Sequence, residues 1–417
     1  MAAPTLERPV LGRFLGVALK APGDPKKATF VLLRQEAGSM ILYLTYNDQP
    51  SGVYWSQVCD VVAYLNSLGG EEVRLVALVS ARRFRETKRR IKARDPKATV
   101  LPMVPQMKRW RWNTGILALV ASGLRPTGII CRGPFATAMA LRMRERGGVR
   151  KVCFDGRGAY AAEWEEYRII DDEALIAQVR PLEQEAVLKS DFRIAVSQAL
   201  VDHWRERYGY TDDAHVVIPC TLGNDFRFGT GDDREATRRE LGYAPDDVVL
   251  VYSGSTAGWQ SFGLLEGLLS GILDRQPEVK VLFLSKEDAN NRKLMERFPG
   301  RVQAKWLDPA DVQRTLRACD HGILVREHTI TNRVASPTKF AEYLSAGLPV
   351  IISEGLGDFS ALVKEEGLGV VVRGDDVGPL ARPLATERAR LMAFAKERFT
   401  KEAHREAYAR LLRELGA

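Results

Sequence analysis

The sequence contains few cysteines and none of them are paired. Its 417 residues include five, Cys59, Cys131, Cys153, Cys220 and Cys319, an odd number spread singly along the chain. A disulfide framework needs an even set of cysteines, and a structural zinc site needs close Cys or His pairs, so neither is indicated. The pattern is typical of a protein from a reducing compartment.

Long apolar runs are missing as well. The longest, such as residues 116–120, fall far short of the roughly 20 residues that a membrane-spanning helix needs. The N-terminus also lacks the order of basic, apolar and small residues that marks a signal peptide. We therefore expect a cytoplasmic protein that reaches a membrane only as a peripheral component of its inner face.

Metal-binding signatures are also lacking. No Asp-x-Asp triplet occurs, and the five histidines do not have the spacing of metal ligands. The sequence therefore predicts no metal site, and no other bound cofactor is indicated.

Charge is unevenly distributed. Lysine and arginine total 61 against 53 acidic residues, a formal net charge of +8. Between Ala81 and Arg111, twelve basic and two acidic residues give this basic stretch a charge of +10, which leaves −2 for the remainder. Three interpretations are open: a solvated helix face, an anionic membrane surface contacted by residues from Arg82 to Trp112, or a nucleic-acid surface.

Short apolar runs alternate with segments of helical periodicity. Strands are predicted at residues 40–46, 73–79, 128–131, 151–154 and 194–196, and again at 248–252, 280–284, 322–325, 350–352 and 369–372. Strands that alternate with helices predict parallel sheets covered on both faces. The fold class is therefore α/β, with two doubly wound domains.

Four parts are predicted along the chain. Residues 1–39, with four prolines and little periodicity, form an N-terminal extension, and residues 40–218 form the first domain. The segment from Val216 to Phe228 has no helical pattern, as expected of a connection between domains. The second domain spans 222–383, and a C-terminal helix over 384–417 follows it. Ligands of such folds bind outside the carboxyl ends of the strands.

The most informative segment runs from Arg326 to Ser353, REHTITNRVASPTKFAEYLSAGLPVIIS. Ser336 and Pro337 predict a helix start, with serine as N-cap and proline at the first helical position. Lys339 then lies in the first turn, and Glu342 lies one turn later on the same face. The free N–H groups, the helix dipole and Lys339 suit a diphosphate, and Glu342 can accept hydrogen bonds from both hydroxyls of a ribose. A plain capped helix with a solvated Lys339–Glu342 pair is the alternative.

These strings resemble a known family. VVIPCTLGNDFRF and SPTKFAEYLSAGLPVIIS, with a glycine-containing loop after the first strand of the second half, are similar to the retaining glycosyltransferases of the GT-B fold. This is the large group 1 family that builds bacterial polysaccharides and glycolipids. The resemblance implies two Rossmann-like domains facing a central cleft, with the C-terminal helix crossing back to the first domain. It also implies that Glu342 binds the ribose of a nucleotide-diphosphate sugar and that no metal is needed.

The resemblance assigns donor contacts to two further loops. Ser253, Gly254 and Ser255 follow the first strand of the second domain, and Gly52 lies in the small-residue loop after the first strand of the chain. Both loops are expected to lie against the donor phosphates. A plain tight turn at 253–255 would use the same residues and is the alternative.

Two positions depart from the family pattern. The second glutamate expected eight residues before Glu342 is Val334, and the usual Arg and Lys pair after the first strand of the second domain is replaced by SGSTAGWQS. We therefore expect Lys339 and Arg326 to bind the diphosphate, as in a divergent branch of the family.

The first domain supplies candidates for the reaction itself. In CFDGRGAYAAEWEEY, Asp155 and Arg157 end a predicted strand, and Glu163 follows in the next helix. Because such a loop faces the cleft, Asp155 or Glu163 can orient the acceptor hydroxyl as a catalytic group, and Arg157 can meet the donor phosphates or an acidic acceptor. An Asp155–Arg157 pair that only fixes the loop is the alternative.

The sequence thus predicts a retaining glycosyltransferase that moves a hexose-type sugar from a nucleotide-diphosphate sugar to a glycan or lipid-linked acceptor, in polysaccharide or glycolipid biosynthesis. Because enzymes of this family work on lipid-anchored intermediates, an anionic membrane is the preferred partner of the basic stretch, and no nucleic acid is expected. Two alternatives stay open: a GT-B nucleotide-sugar epimerase, and a nucleic-acid-binding α/β protein that uses residues 82–111.

Overall fold

The computed structural model describes residues 40–228, 234–254, 260–374 and 377–416. The predicted N-terminal extension over 1–39 and Ser255 lie outside the described residues. Within the described part, strands and helices alternate, and every strand pairing is parallel.

The first half of the chain forms a sheet of seven strands. They are β1 (Met40–Tyr46), β2 (Glu72–Val79), β3 (Thr99–Pro102), β4 (Gly128–Arg132), β5 (Lys151–Gly156), β6 (Phe192–Ala195) and β7 (His215–Val217). Their order across the sheet is β3-β2-β1-β4-β5-β6-β7. The winding direction therefore reverses between β1 and β4.

The second half forms a sheet of six strands. They are β8 (Val248–Ser253), β9 (Val279–Leu284), β10 (Val302–Ala304), β11 (His321–Leu324), β12 (Val350–Ser353) and β13 (Gly369–Val372). The order is β10-β9-β8-β11-β12-β13, with the reversal between β8 and β11. The predicted fold class, two doubly wound α/β sheets, is confirmed.

Helices connect nearly all of these strands. In the first half they are α1 (Gly52–Tyr54), α2 (Asp60–Ser67), α3 (Phe84–Arg94), α4 (Trp110–Leu124), α5 (Pro134–Glu145), α6 (Tyr160–Tyr167), α7 (Glu173–Lys189) and α8 (Gln198–Tyr208). In the second half they are α9 (Arg234–Glu240), α10 (Phe262–Arg275), α11 (Ala289–Arg297), α12 (Pro309–Ala318), α13 (Ile330–Arg333), α14 (Thr338–Ser345), α15 (Phe359–Glu366), α16 (Ala385–Phe399) and α17 (Arg405–Gly416). A π-helical segment, Trp55–Cys59, joins α1 to α2, and 3₁₀ turns span Met107–Arg109 and Glu402–His404.

The strands are apolar throughout because helices cover both faces of each sheet. In β1, Ile41 and Tyr43 belong to the apolar cluster on one face, and Leu42 and Leu44 belong to the cluster on the other. The second sheet is sandwiched between two clusters in the same way. Burial on both faces explains why continuous apolar runs, and not alternating patterns, predict these strands.

The C-terminal segment differs from the single helix expected over 384–417. It breaks at Thr400, whose backbone is extended, so that α16 and α17 are separate helices. Leu391 and Phe399 of α16 pack in the core of the second half. Leu411 and Leu415 of α17 pack on the first sheet. The break therefore lets the chain cross from the second half to the first.

The first sheet divides the basic stretch between its two faces. Ile91 of α3 packs in the apolar cluster on one face of the sheet, whereas Leu117 of α4 packs in the cluster on the other. Strand β3, which joins the two helices, is the edge strand of the sheet. The cations of α3 and those at the start of α4 therefore belong to two different surfaces.

Three short strands were not predicted from the sequence. Strands β3, β7 and β10 have three or four residues each and lie at sheet edges. An edge strand pairs on one side only and does not need a long apolar run. Val216 and Val217, assigned to the connection between domains, accordingly belong to β7.

Candidate active site

The loops that follow β8 and β11 lie side by side, because the strand order of the second sheet reverses between these strands. Ser253 ends β8, and its N–H donates to the hydroxyl of Tyr343 on α14 (2.9 Å). The N–H of Gly254 points to the carbonyl of Leu284 (3.3 Å). Both amides are thus used inside the protein, and the phosphate contacts predicted for Ser253, Gly254 and Ser255 stay a prediction.

Lys339 lies in the first turn of α14 and extends toward Gly254. Its ammonium donates to Oε1 of Gln260 (3.1 Å) and lies 4.5 Å from the centre of the Tyr252 ring. Gly254 has φ +130°, and a Cβ there would lie 2.5 Å from Nζ of Lys339, so the position requires glycine. Burial, followed by the charge of Arg326, lowers the pKa of Lys339 to about 7.

Arg326 follows β11 and supplies the second cation of this site. Its guanidinium donates to Oδ1 of Asn332 (3.3 Å), while its Nε atom is buried and has no hydrogen-bond partner in the described residues. Burial lowers its pKa. Neither Arg326 nor Lys339 forms an ion pair within the described part of the chain. Two basic side chains this close, with no ion pair among the described residues, suit a polyanion.

Glu342 lies one turn beyond Lys339 on α14. Burial raises the pKa of its carboxyl, which the charge of Lys339 opposes. Among the described residues, no side chain or amide donates a hydrogen bond to this carboxylate. It is therefore free to accept hydrogen bonds from a ligand, next to the two cations.

The predicted start of α14 is wrong in detail. Pro337, and not Ser336, is the N-cap residue, and no side chain caps the helix. The hydroxyl of Ser336 instead accepts a hydrogen bond from the N–H of Cys220, in the connection between the two halves (2.9 Å). The first amides of α14 thus lack a side-chain acceptor within the described part of the chain, which leaves them available to an anion.

Asp155, at the end of β5, belongs to a buried charge network. It is 1% exposed, accepts a hydrogen bond from the Tyr43 hydroxyl (2.5 Å), and lies 3.4 Å from Arg157 and 3.6 Å from Arg132. Arg157 donates in turn to Oε1 of Gln57 (2.9 Å). Because all of these contacts are internal, Asp155 and Arg157 fix the loop, and their predicted contacts with substrate stay a prediction.

Glu163 lies on α6 and faces the second half of the chain. Burial raises the pKa of its carboxyl, and the positive charge of Arg326 opposes this shift. Glu163 is therefore the predicted acidic residue that the fold brings near the cations of the second sheet, whereas Asp155 remains within the first.

Two carboxylates hold the loops of the two halves together, each at the start of a helix of the opposite half. Glu166 of α6 accepts hydrogen bonds from the N–H groups of Ile330 and Thr331, at the start of α13 (2.9 and 3.1 Å). Asp358, before α15, accepts from the N–H groups of Gln198 and Ala199, at the start of α8 (2.6 and 3.0 Å). We call the space between these two sets of loops the cleft.

Gly52 and its neighbours form the first loop on the opposite side of the cleft. Gly52 is exposed at the start of α1, and a Cβ there would meet nothing within 4 Å, so this position does not need glycine for space. Asp48 in the same loop lies 3.6 Å from Nε of Arg132. Sequence reasoning missed Asp48, Arg132 and Gln57. Arg132 ends a strand and was readable on that ground, whereas the π-helical turn that buries Gln57 leaves no sequence signal.

Val334, the position of the missing family glutamate, is fully buried. It packs in an apolar cluster with Phe154 and Trp204 of the first half. Its carbonyl accepts a hydrogen bond from the hydroxyl of Ser197 (2.7 Å). At this position the family has a polar residue, whereas this chain has an apolar side chain that packs between the two halves.

Solved structures share this architecture over nearly the whole chain. HepE from Anabaena, in a structure with UDP, matches 90% of this chain and 99% of its own, with a TM-score of 0.68 and 16% identity. The chain has the GT-B fold. A sucrose-phosphate synthase from Thermosynechococcus elongatus matches over the same shares, with a TM-score of 0.64 and 13% identity. The predicted resemblance to GT-B glycosyltransferases is confirmed.

Sequence comparison gives a narrower match. A D-inositol 3-phosphate glycosyltransferase from Actinosynnema mirum is 26% identical over 245 residues, which are 55% of this chain and 56% of that protein. The chain thus aligns with about half the length of this relative. No family model matches the sequence.

None of the helices in the described part of the chain combines the length and apolarity needed to cross a membrane. No group of three or more His, Cys, Asp or Glu side chains in this part of the chain could hold a metal ion.

Proposed function

We propose that this GT-B protein is a glycosyltransferase that takes a sugar from a nucleotide-diphosphate donor. One observation carries the proposal: among the described residues, Arg326 and Lys339 form no ion pair and no side chain caps the start of α14 beside them, and the carboxylate of Glu342, which accepts no hydrogen bond from these residues, lies one turn away. A diphosphate matches the cations and the helix N-terminus, and a ribose matches the carboxylate. HepE, which has the same fold, has been solved with UDP and with UDP-glucose.

The proposed chemistry is transfer with retention and without a metal. Negative charge develops on the departing diphosphate as the glycosidic bond breaks. Arg326, Lys339 and the helix dipole of α14 supply fixed positive charge where it develops, which stabilises the transition state. The departing phosphate itself then accepts the proton of the acceptor hydroxyl, and Glu163 orients that hydroxyl from the first half.

The proposed acceptor is a glycan or a lipid-linked intermediate of polysaccharide or glycolipid biosynthesis, and the proposed location is the inner face of the membrane. Helix α4 supports this proposal. From Trp112 to Leu124 it has no charged residue, and Trp112 and Leu119 are among the most exposed large apolar residues. An exposed apolar face next to cations is typical of helices that lie at a lipid interface.

A nucleotide screen tests the donor site. UDP, GDP, ADP, CMP and dTDP are compared by thermal shift and calorimetry on the wild type, Glu342→Ala and the exposed control Glu365→Ala. A ligand that binds only the folded state raises the melting temperature. We expect one nucleotide to be preferred and its affinity to fall roughly tenfold to 100-fold in Glu342→Ala, the loss of a charged hydrogen-bond acceptor. The control should bind like the wild type.

Two results would count against the proposal. If every nucleotide leaves the melting temperature unchanged while oligonucleotides bind in a salt-dependent manner, the chain is a nucleic-acid-binding protein. If a nucleotide-sugar binds but is converted to its epimer without an acceptor, product analysis identifies an epimerase. Transfer of radiolabelled sugar to an added acceptor is the outcome that the proposal requires.

A further inference from the structure

A cationic groove opens where the N-terminal ends of α4 and α7 meet, on the first sheet. It has a volume of about 380 Å³. Its polar and aromatic walls come from Lys108, Arg109, Arg111, Trp112 and Asp172. The donor site proposed above uses none of these residues.

The cations of this groove are largely unpaired. Lys108 lies 3.8 Å from the carboxylate of Asp172, which also accepts a hydrogen bond from the N–H of Leu175 at the start of α7 (3.1 Å). Arg109 and Arg111 form no ion pair with any residue that the structure describes. The groove is therefore lined by three cations and one carboxylate, which is already engaged as a helix cap, and it carries a net positive charge that favours an anion.

An indole ring completes the groove. Trp112 forms one wall of the groove, and its side chain is 70% exposed. A flat aromatic ring beside cations suits a ligand that combines an anionic group with a sugar ring or an acyl stem, since each part then has a matching surface.

The groove adjoins the cleft through the loop after β3. Directly before Lys108, the carbonyl of Met107 accepts a hydrogen bond from the hydroxyl of Tyr46 (2.8 Å), and its sulfur lies 3.2 Å from the side-chain amide of Asn47. Tyr46 ends β1, and Asn47 begins the loop that contains Gly52. The groove is thus fixed to the rim of the cleft on the side of the first half.

We propose that this groove binds an anionic group, a phosphate or a carboxylate, that belongs to the acceptor. The inference rests on the proposed function, and it adds the chemical class of the acceptor. Lys108, Arg109 and Arg111 bind the anionic group, and Trp112 packs against the part of the acceptor next to it. The acceptor hydroxyl then extends along the loop after β3 into the cleft.

The test compares two variants of equal charge. The groove variant carries Lys108→Gln, Arg109→Gln and Arg111→Gln. The control carries Arg85→Gln, Lys88→Gln and Arg89→Gln, which removes three exposed cations of α3 on the other face of the sheet. All six side chains are exposed, so both variants should keep the melting temperature of the wild type within about 2 °C.

Two probes distinguish the source of the anionic group. The first is a set of vesicles of phosphatidylcholine with and without phosphatidylglycerol, scored by cosedimentation. The second is soluble glucose 6-phosphate, compared with glucose by calorimetry. We expect the groove variant to lose about 100-fold in affinity for anionic vesicles if the group is a lipid headgroup, taking about fivefold per cation. If the group is soluble, the loss should be at least about tenfold for glucose 6-phosphate.

The inference fails if the groove variant binds both probes like the wild type, or if the α3 control loses as much as the groove variant. Binding of the preferred nucleotide is measured on the same samples and should be unchanged in both variants. If the wild type binds no nucleotide while the groove variant still loses an anionic probe, the donor proposal fails and the anion site stands. Failure of the two proposals is therefore distinguishable.

Discussion

Lys339 is the residue whose charge depends most directly on its surroundings. Burial and Arg326 lower its pKa to about 7, so near neutral pH the free protein holds a mixture of charged and neutral ammonium groups. A diphosphate favours the charged form. Binding therefore takes up a proton wherever the free lysine is deprotonated.

The affinity for a nucleoside diphosphate should accordingly depend on pH. For a nucleotide-diphosphate sugar, whose diester phosphates do not titrate in this range, we expect the affinity to be constant below about pH 6 and to fall above pH 7, by up to about tenfold for each pH unit, because the neutral amine must first be protonated. Calorimetry in buffers of different ionisation enthalpy measures the proton uptake. Lys339→Arg keeps its charge throughout this range, so its affinity should be flat. A wild-type affinity that does not change with pH would contradict the pKa assigned to Lys339.

Substitution of Asp155 is predicted to lower stability, whereas substitution of Glu163 is predicted to lower activity. Asp155→Asn leaves Arg132 and Arg157 without their shared carboxylate in a buried site, and we expect it to lower the free energy of unfolding by about 3 kcal/mol. Glu163→Gln should leave that free energy within about 1 kcal/mol and reduce kcat about 100-fold if Glu163 orients the acceptor hydroxyl. Denaturant unfolding measures the free energy of unfolding, and initial rates measure kcat. Normal stability with lost activity in Asp155→Asn would instead favour a direct role of Asp155 in the reaction.

At the scale of elements, Val334, which directly follows α13, packs against side chains of the first half. Val334→Glu, which restores the family residue, should not restore the family's contact with the donor sugar. It would place a charge in an apolar cluster and should lower the free energy of unfolding by at least about 3 kcal/mol. Val334→Ala, the control, should cost about 2 kcal/mol. Thermal and denaturant unfolding compare the two; a stable, more active Val334→Glu would show that the site is polar.

The strands that could be predicted from the sequence are those that are buried along their whole length. Central strands such as β1 and β8 are buried on both faces, so an apolar run of matching length marks each of them. The segment with Lys339 and Glu342 was readable because helical spacing alone brings these residues to one face. The contact between Arg157 and Gln57 was not, since it joins the loop after a strand to a π-helical turn far away in the sequence.

The whole molecule is held in its arrangement by hydrogen bonds that run in both directions across the cleft. Glu166 of the first half contacts α13, and Asp358 of the second half contacts α8. The chain passes between the halves twice, once near Leu222 and once near Thr400, and hydrogen bonds join these two segments. The N–H of Leu222 donates to the carbonyl of Phe399 (2.8 Å), and the buried Lys401 donates to the carbonyl of Leu222 (2.8 Å). These polar contacts add to the apolar packing of Val334 between the two halves.

Removal of one such contact should loosen the molecule without unfolding it. In Glu166→Ala, the amides of Ile330 and Thr331 lose their acceptor, at a cost of about 1 kcal/mol, and the donor affinity should fall about fivefold. Small-angle scattering should show a larger radius of gyration. Glu165→Ala, which loses only a pair with Arg180 within the first half, is the control and should scatter like the wild type. Equal scattering from all three proteins would mean that other contacts fix the halves.

The connection between the halves also contains a cysteine that a reagent can reach. Cys220 is the one cysteine that is not buried, since Cys59, Cys131, Cys153 and Cys319 are all inside the two cores. Its sulfur lies 3.1 Å from the guanidinium of Arg157, and its N–H binds Ser336 of the opposite half. A thiol reagent applied to the native protein should therefore attach at a single place, the connection between the halves. A change in the rate of that reaction on addition of donor would report a change at this connection, in a protein with no engineered label.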